Sequence, residues 1–128
     1  MNRPEQALQI AACDFIEKAA PGLLFFHPAN GGARSKVEGA IFKAMGVRKG
    51  VPDLVILLPN AGAGFIELKA GKGVLSPAQK QWRDDLRARG YAWAEARSLE
   101  EVEDILGRWL LPYGWTLKAT VKARKAAA

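Results

Sequence analysis

Two acidic side chains and one lysine stand out because they lie at the ends of short, strongly apolar segments. Asp53 opens the apolar run Leu54–Leu58, which is typical of a strand buried on both faces. A second apolar segment begins at Phe65 and carries Glu67 and Lys69 two residues apart. Strand geometry places both charged side chains on one face. Because buried charges are costly unless they are compensated, these residues need partners.

A divalent cation is the partner that best satisfies the two carboxylates. Hard cations such as Mg²⁺ are held in proteins by carboxylate and carbonyl oxygens. Asp53 and Glu67 would hold such an ion, and Lys69 would lie close to any anion that the ion recruits. The three residue types therefore predict a site that cleaves phosphate esters.

Hydrophobic periodicity and turn residues divide the chain into alternating helices and strands. Helices are predicted at residues 4–19, 35–45, 76–89 and 99–111, and strands at residues 23–27, 54–58, 65–69 and 91–96, with residues 59–64 as a hairpin connection. This order predicts an α/β fold, in which a mixed sheet is flanked by helices within a single compact domain.

Helical periodicity turns two further polar side chains towards the interior. At about 100° per residue, Glu5 points along the apolar line of Ala12 and Ile16. An acid in the first turn also complements the helix dipole, so this second explanation of Glu5 stays open. In the third helix Gln79 faces the sheet, whereas Gln81 is turned to the solvent side.

Basic side chains in glycine-rich loops are candidate phosphate contacts. In the turn from Asn30 to Arg34, glycines would allow main-chain amides to approach a phosphate. Arg48 and Lys49 lie between two glycines just before the first acidic residue, and Lys72 lies in the glycine-rich connection that follows the second strand of the hairpin. For Arg48 and Lys49 a solvated surface loop is the alternative explanation.

The chain has one histidine and one cysteine. His27, at the end of a predicted strand, is more typical of a packed or hydrogen-bonded residue than of a metal ligand. The single Cys13 excludes an internal disulfide and a zinc cluster built on cysteines, and it favours a reducing cytoplasm.

Length and composition predict one folded domain with a basic C-terminal segment. The 128 residues are 49% hydrophobic and 25% charged, with a net charge of +6. No apolar stretch approaches the roughly 20 residues of a membrane helix, and the N-terminus lacks the apolar core of a signal peptide.

Residues 112–128 contain four basic side chains and no acid, which divides the chain into a domain at residues 1–111 and a basic tail. The tail suits a polyanion, but a solubilising, frayed terminus is an equal alternative.

The acidic pattern resembles a known nuclease motif. Pro52-Asp53 followed by Glu67-x-Lys69 is similar to the signature of the PD-(D/E)xK nucleases. The longer run from Gly46 through Leu54, continuing to Leu75-Ser76-Pro77-Ala78-Gln79, resembles the VRR-NUC branch, the virus-type replication-repair nucleases. The resemblance covers roughly residues 3–107 and implies a restriction-endonuclease-like fold. Every motif position has its residue, namely Glu5, Asp53, Glu67, Lys69 and Gln79.

The resemblance implies a Mg²⁺- or Mn²⁺-dependent DNA endonuclease of a bacterial or phage-infected cytoplasm. It implies that Asp53, Glu67 and the Leu68 main-chain carbonyl bind the ion, with Glu5 holding the ion's water shell or a second ion. Lys69 would orient the attacking water or stabilise the transition state, and Gln79 would position Lys69 or the water. Candidate DNA contacts are Asn30, Arg34, Arg48, Lys49 and Lys72.

The same resemblance implies a homodimer and a preference for branched or junction DNA. Apolar residues that could form the interface are Trp109, Leu110, Leu111 and Trp115, although these are equally suited to packing within the domain. The competing hypothesis is a non-catalytic DNA-binding or assembly module on the same fold. Inward carboxylates argue against it, because a pure binding module does not need groups that repel phosphate.

Overall fold

The computed structural model describes residues 3–29 and 35–123. Its elements, in chain order, are α1 (Arg3–Ala19), β1 (Leu24–Phe26), α2 (Lys36–Ala44), β2 (Leu54–Leu58), β3 (Gly62–Leu68), α3 (Pro77–Ala88), β4 (Ala92–Ala96) and α4 (Leu99–Leu110), followed by a 3-10 turn at Leu111–Tyr113. The expected single α/β domain with a mixed sheet and flanking helices is confirmed. Within the described residues, no helix combines the length and apolar character needed to cross a membrane.

Four strands form one sheet in the order β1-β2-β3-β4. β1 pairs with β2, and β2 with β3, in antiparallel directions, whereas β3 and β4 are parallel. The two parallel strands are joined by α3, because a parallel pair requires a crossover connection. The order of the strands places β2 and β3, which carry the acidic motif, at the centre of the sheet.

The main core lies between one face of the sheet and helices α1 and α4. Its fully buried large side chains are Phe15, Ile16, Leu54, Ile56, Ile66, Leu68, Val102, Leu106, Leu110 and Val121. Burying each such side chain contributes about 1.5–3 kcal/mol. The apolar periodicity that predicted the helices is therefore the periodicity of this core.

The hairpin between β2 and β3 is shorter than expected. β3 begins at Gly62, so residues 62–64 belong to the strand and only residues 59–61 connect it to β2. Gly64 pairs with Ile56 in β2, and the ring of Trp109 packs against it: a Cβ atom at this position would lie 2.4 Å from the ring. The prediction that residues 59–64 form the connection was wrong because these glycines serve close packing rather than a turn.

Helix α3 packs on the opposite face of the sheet. Ser76 and Gln79 form a capping box at its start, and the Arg87 guanidinium lies 5.1 Å from the centre of the Trp93 ring. Trp93 is aligned with Phe65 on this face. Gln81, as expected, is exposed and bonds to Asp85 on its own helix. The sheet therefore has helices on both faces.

The described part of the basic C-terminal segment packs on the domain. Lys118 N–H donates to Ala19 O at 2.7 Å, and Val121 N–H donates to Glu103 Oε1 at 2.6 Å. Val121 is only 1% exposed. Up to residue 123 this segment therefore differs from the frayed tail that charge alone suggested, because its apolar side chains reach the core.

The four proposed interface residues divide between the core and the surface. Leu110 is fully buried, and Trp109 and Trp115 are partly buried against the core. Leu111 is exposed. Of the four, Leu110 is closed to a partner, Trp109 and Trp115 are partly accessible, and Leu111 is the most exposed.

Candidate active site

Four charged side chains are buried among the residues that the structure describes: Glu5, Asp53, Glu67 and Lys69. They come from the start of α1, the residue before β2, the C-terminal half of β3 and the residue after β3. All four were predicted site residues, and the structure brings them together at one end of the sheet.

Asp53 and Glu67 face each other across the central strand pair. Leu54 is paired with Ile66, and continuing this antiparallel register by one residue places Asp53 opposite Glu67. Asp53 Oδ2 accepts a hydrogen bond from the Leu68 main-chain N–H at 2.7 Å. This bond fixes the Asp53 carboxylate against β3 and leaves its second oxygen, Oδ1, for another partner.

The main-chain carbonyl of Leu68 is directed to the same side of β3 as Asp53. Lys69 N–H donates to Ala96 O in β4, whereas Leu68 N–H points the other way. In a continued ladder the partner of Leu68 would be Pro52, which has no N–H to donate. The ladder therefore supplies no donor to the Leu68 carbonyl from this side, and its oxygen is suited to bind a cation.

Glu67 is only 2% exposed. The Gln79 amide Nε2 donates to Glu67 Oε1 at 3.1 Å. Glu67 Oε2 receives no hydrogen bond from a donor within the described part of the chain, and when Glu67 is protonated its proton is shared with the neighbouring Asp53 carboxylate. Burial raises the pKa of Glu67 to about 9; Asp53, through hydrogen bonding and charge, and then Glu5 act in the same direction, and Lys69 opposes them. Without a compensating cation, Glu67 holds a proton at neutral pH.

Gly73 borders both Glu5 and Lys69. A Cβ atom at this glycine would lie 3.1 Å from Glu5 Oε1 and 3.7 Å from Lys69 Cδ. The absence of a side chain at position 73 therefore lets the loop after β3 approach both charged residues closely. This loop shields the Lys69 side chain, which is buried although it lies beyond the end of its strand.

The loop before Asp53 is held against α3. Trp82 Nε1 donates to Lys49 O at 3.0 Å. Gly50 has a positive φ of 83°, and a Cβ atom there would lie 2.8 Å from Ala78. These two contacts fix the approach of the chain to β2, so that Asp53 and Gln79 reach the same site.

His27 contacts the site in a way that the sequence did not indicate. Its ring nitrogen Nδ1 lies 2.7 Å from the main-chain oxygen of Asp53. The sequence favoured a hydrogen-bonded role over metal binding but offered no partner. The one available signal was the position of this histidine at a strand end, directly before a proline.

The structure describes three of the five candidate DNA contacts. Asn30 and Arg34 lie outside the described residues. The Arg48 guanidinium donates to Lys43 O at 3.0 Å near the end of α2. Lys49 and Lys72 are exposed, in the loops before β2 and after β3 respectively.

The site offers a divalent cation fewer than three side-chain ligands. Among the described residues, no group of three or more His, Cys, Asp or Glu side chains is arranged to hold a metal ion. Two carboxylates and one main-chain carbonyl nevertheless suit Mg²⁺, which keeps several of its waters when it binds to protein. The buried Glu67 Oε2, which no donor in the described residues contacts, lies beside a second carboxylate and fits such an ion.

The site thus consists of a buried acidic pair with an adjacent lysine, on the central strands of a mixed sheet. The family model of the VRR-NUC domain matches residues 24–100. The chain therefore belongs to the VRR-NUC domain family, which is nuclease-related.

Two solved structures have the same fold. One, described as a VRR_NUC domain protein, is 24% identical with a TM-score of 0.70, and the match covers 87% of this chain and 91% of that chain. Another, described as a VRR_NUC domain, is also 24% identical with a TM-score of 0.57, and the match covers 82% of this chain and 96% of that chain. At this identity the likeness concerns the fold alone. No match was found among curated proteins.

Proposed function

We propose that the protein is a Mg²⁺- or Mn²⁺-dependent DNA endonuclease that hydrolyses phosphodiester bonds in branched or junction DNA of the cytoplasm. The observation that carries the proposal is the buried Glu67 carboxylate, which lies beside Asp53 and Lys69 and whose Oε2 receives no hydrogen bond from a donor within the described residues. A bound cation would replace the proton that otherwise holds these two buried carboxyl groups together. Membership of a nuclease-related family supports DNA as the substrate.

In this mechanism Asp53, Glu67 and the Leu68 carbonyl oxygen would hold the cation. A divalent cation bound there would polarise the scissile phosphate and lower the pKa of a bound water. Glu5 would accept hydrogen bonds from the water shell of the ion. Gln79 holds Glu67 through Oε1, so that Oε2 keeps its direction.

Lys69 supplies positive charge next to the scissile phosphate. Its ammonium group orients the attacking water or stabilises the negative charge that develops on the phosphate oxygens. Electrostatic groups of this kind are typically worth about 10²–10³-fold in rate. The products would carry 5′-phosphate and 3′-hydroxyl ends.

The proposal is tested by incubating plasmid and synthetic four-way junctions with Mn²⁺, with EDTA, and with the Lys69→Ala variant. We expect cutting that requires Mn²⁺ and falls by at least about 10²-fold in the variant. Lys18→Ala is the control, because Lys18 is exposed and paired with Asp14 on the outside of α1. Cleavage that survives EDTA or ignores Lys69 contradicts the mechanism, and tight binding without cutting supports a binding module instead. A panel of linear, nicked, flap, splayed and four-way substrates then defines the preferred DNA structure.

Exposed lysines beside the site are proposed to contact the DNA backbone. Each phosphate contact contributes about 0.9 to the slope of log affinity against log salt concentration. We expect a double Lys49→Ala/Lys72→Ala variant to lose up to two such contacts, whereas Lys18→Ala keeps the slope of the wild type. An unchanged slope in the double variant would remove these two lysines from the DNA interface.

We also propose a homodimer. Apolar side chains are exposed on the outer face of β1 and β2 and along α2, namely Leu24, Phe26, Leu57, Val37, Ile41 and Met45. None of the residues of α2 is buried within the domain. Light scattering should give twice the mass of the chain, and Phe26→Glu or Ile41→Glu should shift the mass towards the monomer. A wild-type mass equal to one chain contradicts the dimer.

A further inference from the structure

The main chain at Asp53 lacks one of its ladder hydrogen bonds on the β1 side. Phe26 pairs with Val55, and continuing this register places Pro28 opposite Asp53. A proline has no N–H, so it cannot donate to the Asp53 carbonyl. The His27 ring supplies the missing donor, with Nδ1 at 2.7 Å from Asp53 O.

The direction of this bond fixes the tautomer of His27. A carbonyl oxygen only accepts hydrogen bonds, so Nδ1 must carry the proton that it donates. In the neutral ring, Nε2 is then unprotonated. The His27 side chain is otherwise exposed, so its contact with Asp53 does not arise from packing in the core.

Asp53 is consequently held by both neighbouring strands. From the β3 side, Leu68 N–H binds its carboxylate Oδ2 at 2.7 Å. From the β1 side, His27 binds its main-chain oxygen at the same distance of 2.7 Å. Together the two bonds restrain the main chain and the side chain of one residue, and so fix the direction of the remaining oxygen, Oδ1.

We propose that His27 is a positioning residue for the cation site: it holds the Asp53 main chain so that Oδ1 points at the bound ion. This inference rests on the proposed function. In this role His27 acts through Asp53 rather than on the ion or the substrate. Groups that orient metal ligands in this way are commonly worth about 10–100-fold in metal affinity.

The tautomer is tested by nitrogen NMR on protein labelled with ¹⁵N-histidine. Because His27 is the only histidine, both ring-nitrogen signals belong to it, and their couplings to the two ring C–H protons distinguish Nδ1 from Nε2. At pH 9 we expect the pattern of a ring protonated on Nδ1. A ring protonated mainly on Nε2 overturns the inference.

Three variants at this position separate the hydrogen bond from the volume of the ring. In His27→Asn the amide nitrogen is attached to Cγ, as Nδ1 is in histidine, so it can donate to Asp53 O. In His27→Gln the nitrogen lies one bond further out, and His27→Ala has no donor. We expect the Mn²⁺ dissociation constant, measured by calorimetry, to rise about 10–100-fold in His27→Ala and His27→Gln. In His27→Asn it should return close to that of the wild type.

The same variants should need more Mn²⁺ for half-maximal cleavage, while KM for DNA at saturating Mn²⁺ stays unchanged. Because the residue is exposed, the unfolding temperature should change by only a few degrees. If the wild type binds Mn²⁺ and cuts DNA but His27→Ala binds Mn²⁺ equally well, this inference fails and the proposed function stands. If the wild type binds no Mn²⁺ at all, both fail.

Discussion

Gln79 contacts Glu67 with one end of its side-chain amide and the start of its own helix with the other. Its nitrogen Nε2 donates to Glu67 Oε1 at 3.1 Å, and its oxygen Oε1 accepts from Ser76 N–H at 2.8 Å. The capping box of α3 therefore sets the orientation of the amide, and the amide sets the direction of the Glu67 carboxylate. A local helix-start motif is in this way built into the candidate site.

We expect Gln79→Ala to weaken both functions of this amide. The loss of the capping contact should cost about 1 kcal/mol, and the loss of the bond to Glu67 should lower Mn²⁺-dependent cleavage. Ser76→Ala is the matched variant, because it removes the other half of the capping box and leaves the Glu67 contact in place. Gln81→Ala, on the exposed side of the same helix, should change neither property.

Urea unfolding and cleavage rates together decide between these roles. Ser76→Ala should lose stability comparable to that of Gln79→Ala but keep its cleavage rate at temperatures where it is folded. Equal loss of cleavage in the two variants would mean that Gln79 acts only through the helix cap.

The raised pKa of Glu67 predicts how the stability of the metal-free protein depends on pH. Its pKa is raised from 4.5 to about 9, so the folded protein binds this proton more tightly than the unfolded chain does. The resulting stability is fully present below pH 4.5 and is lost as the pH rises towards about 9. In EDTA, the unfolding temperature should therefore fall through this range.

Glu67→Gln should flatten that fall, because a neutral amide replaces the protonated carboxyl. Mn²⁺ should raise the unfolding temperature of the wild type most strongly at the alkaline end, since the cation binds the ionised form. Glu17→Gln, at an exposed position on α1, is the control. An equally steep fall in Glu67→Gln would assign the pH dependence to other groups.

Asp53 combines a structural contact with the charge required by a cation. Asp53→Asn keeps an oxygen that can accept from Leu68 N–H, whereas Asp53→Ala leaves that buried donor unpaired at about 1–3 kcal/mol. Both variants remove a carboxylate from the cation site and should lose cleavage. At about pH 9 and above, where Glu67 is ionised, they also relieve its repulsion with Asp53. At that pH we expect Asp53→Asn to unfold in EDTA at or above the wild-type temperature, and Asp53→Ala to be less stable than Asp53→Asn. Cleavage retained by Asp53→Asn would argue against a cation ligand at this position.

Gly50 is expected to be essential for the approach of the chain to β2. Gly50→Ala would place a methyl group 2.8 Å from Ala78 in a backbone conformation with φ of 83°. Gly46→Ala is the matched control, because its φ is also positive, at 100°, but nothing lies within 4 Å of the new methyl group. Backbone strain should cost each variant about 1–3 kcal/mol, and the clash should cost Gly50→Ala about 1–3 kcal/mol more. Equal unfolding free energies would show that the loop moves freely away from α3.

The sequence by itself determined the elements and the faces that they present. The strand Leu54–Leu58 was predicted with its observed bounds, and the helical phase turned Glu5 and Gln79 inward while Gln81 faced solvent. These features depend on periodicity and on capping residues within a few positions of each other. Such local patterns can be identified in the sequence without knowledge of the rest of the chain.

Only the tertiary structure decided the contacts between distant segments. The bond from His27 to Asp53 spans 26 positions, and it follows from two strand registers and a proline opposite Asp53 that no local pattern reveals. The sequence predicted Gly64 to be a turn residue because the Trp109 ring that packs on it lies in α4, which is distant in the sequence. The burial of Val121 likewise depends on the chain returning to α4. Strand register and close packing depend on contacts between segments that are distant in the sequence. The same long-range contacts determine which groups surround the carboxylates of the candidate site.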